Sequence, residues 1–298
     1  MMHSLEQFIL PPPFSAMISL GLLAGLDALG KVFLAQTGLM ALDQKRILRY
    51  QAVVVGAALI SSLLFPLMLF GYANLTVVRI VGCVLITGGL ISLALTLLSS
   101  SPVIDLKYYF KNVLAHRILA SAILLGLFLI ALSPVTSADA LDYHIGAAIA
   151  MLNNAGMPHS PEWFHRRFAS NGEVLNALGI ALGGEQFGAL LQWASLIAIV
   201  SLLRSNVKDA SGESVQTKAS ALELIVLAAV STPVLLFLVN GPKPQLWPVA
   251  MTTLAFALFA HPSVLNISTL MLRKRFGMAI LLCITAAMAK FNYLLGGG

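Results

Sequence analysis

Five of the twelve acidic residues fall in one polar stretch of the chain, residues 135–185. These five are Asp139, Asp142, Glu162, Glu173 and Glu185. A carboxylate within hydrogen-bond reach of a reacting hydroxyl can serve as a general base. Long connections in compact proteins are commonly functional. The stretch is therefore the first candidate for chemistry, although Asp139 and Asp142 can equally be solvated residues on an amphipathic helix, and Glu173 can simply cap one.

Basic residues near this stretch offer anion-binding chemistry. Arg166 and Arg167 follow the aromatic residues Trp163 and Phe164, and Lys243 lies in the run Asn-Gly-Pro-Lys-Pro-Gln. Arginine can hold a phosphate through two parallel hydrogen bonds, whereas lysine offers a point charge. The alternative interpretation is structural: interface anchors for the two arginines and a turn for the lysine.

The composition defines the setting of these residues. Hydrophobic residues make up 58% of the 298 residues and charged residues 10%, with a mean hydropathy of +0.89. Soluble domains carry about 25% charged residues, so a soluble enzyme and a disordered chain are both excluded. We predict an all-α polytopic membrane protein with about eight transmembrane helices. The apolar stretches lie near 14–35, 52–71, 77–98, 118–134, 186–203, 220–239, 246–261 and 276–295.

The lysines and arginines predict the orientation. The connections after the first, third, fifth and seventh apolar stretches hold twelve of the eighteen basic residues. Because cytoplasmic loops carry the excess of positive charge, these connections are expected inside. The N-terminus and the 135–185 loop are then extracytoplasmic, in a protein of the plasma (inner) membrane. The net charge of +6 is explained in this way, without nucleic-acid binding.

The local pattern within the loop predicts two short amphipathic surface helices. Ser137 can cap a helix that begins near Asp139, with Gly156 as its C-cap. In that helix the apolar residues lie on one face, while Asp139, Asp142 and Tyr143 lie on the opposite, wet face. A second helix is predicted from Glu173 to Leu182, broken by Gly183 and Gly184.

The charged residues within the predicted spans, where charge is costly, include Asp27, Lys31 and Lys290. Asp27 and Lys31 are four residues apart, so they share a helix face and are expected to pair. Lys290 is near the outer end of the last span, where it can either extend to the interface or reach a lipid phosphate. Two cysteines, Cys83 and Cys283, fall in apolar runs and are predicted to be small core residues.

Several of these residues together resemble a known family. The order Pro134, Asp139, Asp142, Tyr143-His144, Gly156 and Asn171-Gly172-Glu173 is similar to the first outer loop of GT-C glycosyltransferases, in the bacterial branch related to protein mannosyltransferases. The run Ala286–Phe291, which contains Lys290, resembles a lysine-bearing span of the same branch. The resemblance covers roughly residues 118–295 and leaves the first three spans outside it. It divides the chain into an N-terminal three-span segment, 1–112, and a GT-C-like core, 113–298.

The resemblance implies transfer of a sugar from a polyprenyl-phosphate donor to a glycan, lipid or protein acceptor. It implies Asp139 as general base, with Asp142 or Glu173 orienting the acceptor or holding a divalent metal ion. The cofactor is otherwise unknown. Arg166, Arg167, Lys243 and Lys290, with Tyr143 and His144 of the matched motif, are the candidate donor-binding residues. Such enzymes usually have more spans, so the chain is expected to be the N-terminal or truncated part of one.

Two other functions fit the same sequence. A transporter or flippase is favoured by the Asp27–Lys31 pair, Lys290 and the prolines Pro233 and Pro248, which can break helices around a midplane site. A non-catalytic membrane assembly protein is the other alternative. Neither of these explains the acidic loop.

Overall fold

The computed structural model of the protein describes residues 8–39, 45–99, 115–158, 170–209, 215–260 and 268–289. All regular elements in these ranges are helical, and no strand is present in them. In chain order the α-helices are α1 (Phe14–Gln36), α2 (Lys45–Leu69), α3 (Leu75–Ser99), α4 (Ala115–Ala131), α5 (Gly146–Asn154), α6 (Asn171–Ala181), α7 (Phe187–Asp209), α8 (Val215–Val230), α9 (Pro233–Val239), α10 (Leu246–Ala260) and α11 (Thr269–Ala289). A π-helical turn, Ala140–Ile145, directly precedes α5.

The prediction of an all-helical chain is confirmed, and each of the eight apolar stretches corresponds to a helix or a bent helix pair. Within the described ranges, four helical segments are long and apolar enough to cross a membrane: Phe14–Gln36, Tyr50–Leu69, Leu75–Ser99 and Phe187–Arg204. The pair α8 and α9 bends by 59° and is a possible fifth span. These helices are consistent with a membrane protein.

The first three helices pack closely because glycines lie where they cross. A methyl group on Gly25 of α1 would strike the backbone of Leu85 in α3, and one on Gly30 would strike the backbone of Ala52 in α2. Small residues allow this close approach, which is typical of helix pairs in membranes. The helix α2 continues this packing onto α6, α7, α10 and α11.

The helix α3 buries only a narrow stripe of its surface. Its buried residues, Val78, Gly82, Leu85 and Gly89, recur every three or four positions, and the rest of the helix exposes large apolar side chains. An exposed apolar face of this length is disfavoured in water but suits a lipid environment. The prediction that the cysteines are core residues is wrong, because Cys83 and Cys283 both lie on exposed helix faces.

Residues 133–158 and 170–187 contact the start of one long helix and the end of the next in turn. The end of α2 accepts a hydrogen bond from Met157, and Arg79 near the start of α3 donates to the Ala181 carbonyl. Ser15 in α1 donates to Gln186, and Ser170 lies 2.6 Å from the last carbonyl of α11. The long helices therefore alternate in direction, and residues 133–158 and 170–187 cover one end of the bundle.

The prediction that the two loop helices lie on the surface is wrong. All residues of α6 are buried, as are residues Gly146–Leu152 of α5. The cause is packing: α6 contacts α1, α2, α3, α5, α7 and α11. The C-terminal cap of α5 also differs from the prediction. Ala155, not Gly156, adopts the left-handed conformation (φ 53°), while Gly156 packs against the backbone of Met68, where a side chain would not fit.

Candidate functional site

The π-helical turn Ala140–Ile145 places three of the predicted site residues together. The hydroxyl of Ser137 accepts a hydrogen bond from the backbone N–H of Ala140 (3.3 Å), which confirms the predicted cap. A π-helical turn closes its hydrogen bonds five residues apart instead of four. The wider turn brings Asp139, Tyr143 and His144 closer to one side than an α-helix would. Asp139 and Asp142 remain exposed, whereas His144 is buried.

Helix α6 begins with a capping box that fixes Glu173. Ser170 accepts a hydrogen bond from the N–H of Gly172, and the backbone N–H of Ser170 donates to Glu173 Oε2 at 2.8 Å. This reciprocal arrangement satisfies backbone donors at the start of the helix. Glu173 does cap its helix, then, but the cap occupies only one of its two carboxylate oxygens.

The second oxygen of Glu173 meets His144. The distance from His144 Nδ1 to Glu173 Oε1 is 2.8 Å, and the side chains are only 7% and 1% exposed. The two residues lie 29 positions apart and belong to different helical elements. Hydrogen bonds that involve a charged partner are roughly twice as strong as neutral ones. This contact therefore joins the π-helical turn to α6 at the buried centre of the loop.

The segment 240–245 brings Lys243 to the same place. The Pro242 carbonyl accepts a hydrogen bond from Asn176 Nδ2 at 2.9 Å, and the Pro244 ring lies where a side chain on Gly172 would project. Gln192 on α7 accepts the N–H groups of Gln245 and Leu246, at 3.2 and 2.6 Å. Lys243 is thus held between two anchored prolines.

Lys243 pairs with Asp139. Lys243 Nζ lies 2.6 Å from Asp139 Oδ2, although the residues are 104 positions apart. The lysine side chain is 10% exposed and the aspartate 60%, so the pair lies at the rim of the site with its carboxylate toward the open side. The ammonium also lies 4.0 Å from the centre of the Phe237 ring, a cation–π contact.

Tyr143 lies between the two pairs. Its ring centre is 4.4 Å from that of His144. Burial raises the pKa of the Tyr143 phenol well above its ordinary value, and the carboxylates of Glu173 and Asp139 raise it further. The phenol therefore stays protonated over the physiological pH range. Asp139, Tyr143 and His144 lie within one helical turn of one another, and through it the rim pair and the buried pair are neighbours.

The cluster contains five of the nine predicted site residues: Asp139, Tyr143, His144, Glu173 and Lys243. Asp142 is exposed and joins neither pair. Arg166, Arg167 and Lys290 lie outside the described residues. Among the described residues, no group of three or more His, Cys, Asp or Glu side chains is arranged to hold a metal ion.

Two residues that help to build the site were not predicted from the sequence. Ser170 belongs to the pattern Ser-x-x-Glu, which is the signature of a capping box and could have placed the start of α6 correctly. Asn176 and its contact with Pro242 carry no such signal, because the two residues are 66 positions apart.

Comparisons with known proteins identify a family for the chain, but no individual relative. No curated protein and no solved structure matches the chain. One family model does match, over residues 1–118 and 104–297, which together span almost the whole sequence. The chain belongs to the family described as the DUF1420 N-terminal domain.

Proposed function

We propose that the protein is a membrane glycosyltransferase that moves a sugar from a polyprenyl-phosphate donor to an acceptor hydroxyl. The observation that supports this most is the ion pair between Asp139 and Lys243. A carboxylate and an ammonium at one rim are the two charges that the reaction needs: one for the acceptor's proton and one for the departing phosphate.

The donor phosphate binds at Lys243 in this proposal. The side chain is largely buried and its ammonium lies over the Phe237 ring, so its position is set before the donor arrives. A phosphate group is a stronger competitor for the ammonium than one carboxylate, since it carries more charge and more acceptor oxygens. Donor binding therefore draws Lys243 away from Asp139 Oδ2 and frees this oxygen for catalysis.

The carboxylate of Asp139 then serves as general base. It accepts the proton of the acceptor hydroxyl while the hydroxyl oxygen attacks the anomeric carbon and the phosphate leaves with its electron pair. A single displacement of this kind inverts the anomeric centre. The transition state has oxocarbenium character, as in glycoside hydrolysis, and the remaining negative charge of the cluster stabilises it.

The acceptor in this proposal is a glycan, a lipid or a protein on the extracytoplasmic face of the plasma membrane. The alternating helix directions and the positive charges of the connections support the assignment of the cluster to that face. Arg166, Arg167 and Lys290 are proposed as further phosphate contacts. Glu173 does not fit the role of a metal ligand, because both of its carboxylate oxygens already have partners.

The test is a transfer assay with the full chain in proteoliposomes. Polyprenyl-phosphate carrying a radiolabelled hexose is added with a panel of glycan, lipid and peptide acceptors, and each product is examined for anomeric configuration. We expect an inverted product from the lipid-linked donor and none from a nucleotide sugar. Retention of configuration, or failure of every lipid-linked hexose to react, would contradict the proposal.

Transport is a second candidate because of the bent pair α8–α9. A broken span can expose backbone groups to a substrate. Here, however, the hydroxyls of Ser231 and Thr232 bond the carbonyls of Ala228 and Ala229 before the break. The predicted Asp27–Lys31 pair is confirmed, which is consistent with a structural role. A transporter should lose lipid-flipping activity on Asp27→Asn, whereas the transferase should keep its transfer rate.

A further inference from the structure

We infer that His144 is a second proton-transfer residue of this site, with Glu173 as its positioning residue. The inference rests on the proposed function for the reaction that it serves. It concerns where the proton of the acceptor hydroxyl finally resides: on Nε2 of the His144 ring.

Glu173 determines which ring nitrogen of His144 carries a proton. Oε2 of Glu173 faces the backbone N–H of Ser170 (2.8 Å) and the hydroxyl of Ser170 (2.5 Å). A backbone N–H can only donate, so this oxygen is an acceptor. The remaining oxygen, Oε1, faces His144 Nδ1 at 2.8 Å. With Glu173 ionised, both of its oxygens are acceptors, so we assign the proton to Nδ1 and a lone pair to Nε2.

The opposite nitrogen is available for chemistry. Among the described residues, the ring of His144 has one hydrogen bond, from Nδ1 to Glu173, and Nε2 has no hydrogen-bond partner. The ring is held on a second side by Tyr143, whose phenol responds to the charge of both Glu173 and Asp139. A histidine oriented by a buried carboxylate, with its far nitrogen unpaired, is the arrangement that general-base catalysis uses.

Proton balance explains why the site needs this residue. The O–H bond of the acceptor breaks as its oxygen bonds to the anomeric carbon, and the bond from that carbon to the phosphate oxygen breaks with the electron pair on phosphate. Imidazole is a stronger base than a carboxylate. The proton therefore comes to rest on Nε2, directly or by way of Asp139. The resulting imidazolium is stabilised by the Glu173 carboxylate and returns its proton to solvent.

Two substitutions separate this role from a purely structural one. Asparagine places an N–H near the position of Nδ1, so His144→Asn keeps the bond to Glu173 but removes Nε2. Glutamine places its amide near Nε2, so His144→Gln loses the bond to Glu173. We expect the melting temperature of His144→Asn to be closer to that of the wild type than the melting temperature of His144→Gln is. We nevertheless expect His144→Asn to lose about 100-fold in kcat for transfer. Transfer by His144→Asn at the wild-type rate would overturn the inference.

A measurement without turnover tests the same point. In protein labelled with ¹⁵N-histidine, the signals absent from His144→Asn belong to this ring. We expect a protonated Nδ1 and an unprotonated Nε2 at neutral pH, and the opposite tautomer would overturn the inference. If the wild-type protein transfers no sugar, the proposed function fails, while the tautomer still decides whether Glu173 presents Nε2 as a proton acceptor.

Discussion

The two charged pairs of the loop cluster differ in exposure and in their use of hydrogen bonds. In the rim pair the Asp139 side chain is 60% exposed and its partner Lys243 is nearly buried. In the floor pair, His144 and Glu173, both side chains are buried and the carboxylate has partners on both oxygens. The pairs are connected through Tyr143. In the rim pair, a ligand can therefore displace the exposed carboxylate from its partner. In the floor pair, separation of the two buried side chains would disrupt the structure.

This difference determines which experiment reports on which pair. An exposed ion pair contributes little to stability, because water and salt screen it. Breaking a buried pair leaves a charged or polar group without compensation and is costly. Substitutions that break the contact between His144 and Glu173 should therefore appear first in stability, and those in the rim pair first in activity.

The largest stability effect is expected from Glu173→Ala. It removes the acceptor for the buried His144 and for the partly buried Ser170 N–H. We expect a loss of about 3 kcal/mol in the free energy of unfolding, measured by thermal or denaturant unfolding in detergent. Asp142→Ala, in the same loop but exposed, is the matched control and should change stability by less than about 0.5 kcal/mol. Equal stabilities of the two variants would remove the distinction between floor and rim.

Lys243→Met should affect activity more than stability. Methionine fills a similar volume beside Phe237 but has no charge for a phosphate. We expect transfer to fall about 100-fold, with a stability change of about 1 kcal/mol or less. A variant that transfers normally would exclude Lys243 from donor binding, and one that unfolds would make the rim pair structural.

Gly172→Ala tests the connection between the floor and the rim. The added methyl group would meet the Pro244 ring, so the segment that holds Lys243 must shift. Overpacking of this kind costs about 1–3 kcal/mol. We expect a lower melting temperature together with weaker donor binding. A matched control is Gly88→Ala on α3, where a methyl group meets nothing within 4 Å.

The smallest effect on stability is expected from a substitution of Glu185. Burial raises the pKa of its carboxyl, and the hydrogen bond from the Val135 N–H (2.8 Å) opposes that rise. A raised folded-state pKa favours folding at low pH, and this contribution is lost as pH increases through it. The melting temperature of Glu185→Gln should therefore be slightly higher than that of the wild type at pH 7. The difference between the two melting temperatures should vanish toward about pH 4. A difference that grew toward acid pH would contradict this sign.

The sequence predicted the local features of the site and missed its long-range ones. The Ser137 cap follows from residue type at a helix start, and the break at Gly183 (φ 89°) follows from glycine's tolerance of positive φ. The pairing of Asp139 with Lys243 depends on how the 240–245 segment packs against α6 and α7, and no local pattern encodes that packing. The burial of α6 was also not predicted from the sequence, because its polar residues contact partners from distant parts of the chain.

The transfer rate of Asp139→Asn tests the central claim most directly. The substitution keeps the shape of the side chain at an exposed position, so the protein should stay folded, with a stability change within about 1 kcal/mol. With a lipid-linked radiolabelled sugar in proteoliposomes, we expect at least about a 100-fold loss of transfer, while Asp142→Asn stays close to wild type. Transfer by Asp139→Asn at the wild-type rate would show that the open carboxylate of the rim pair takes no part in the reaction.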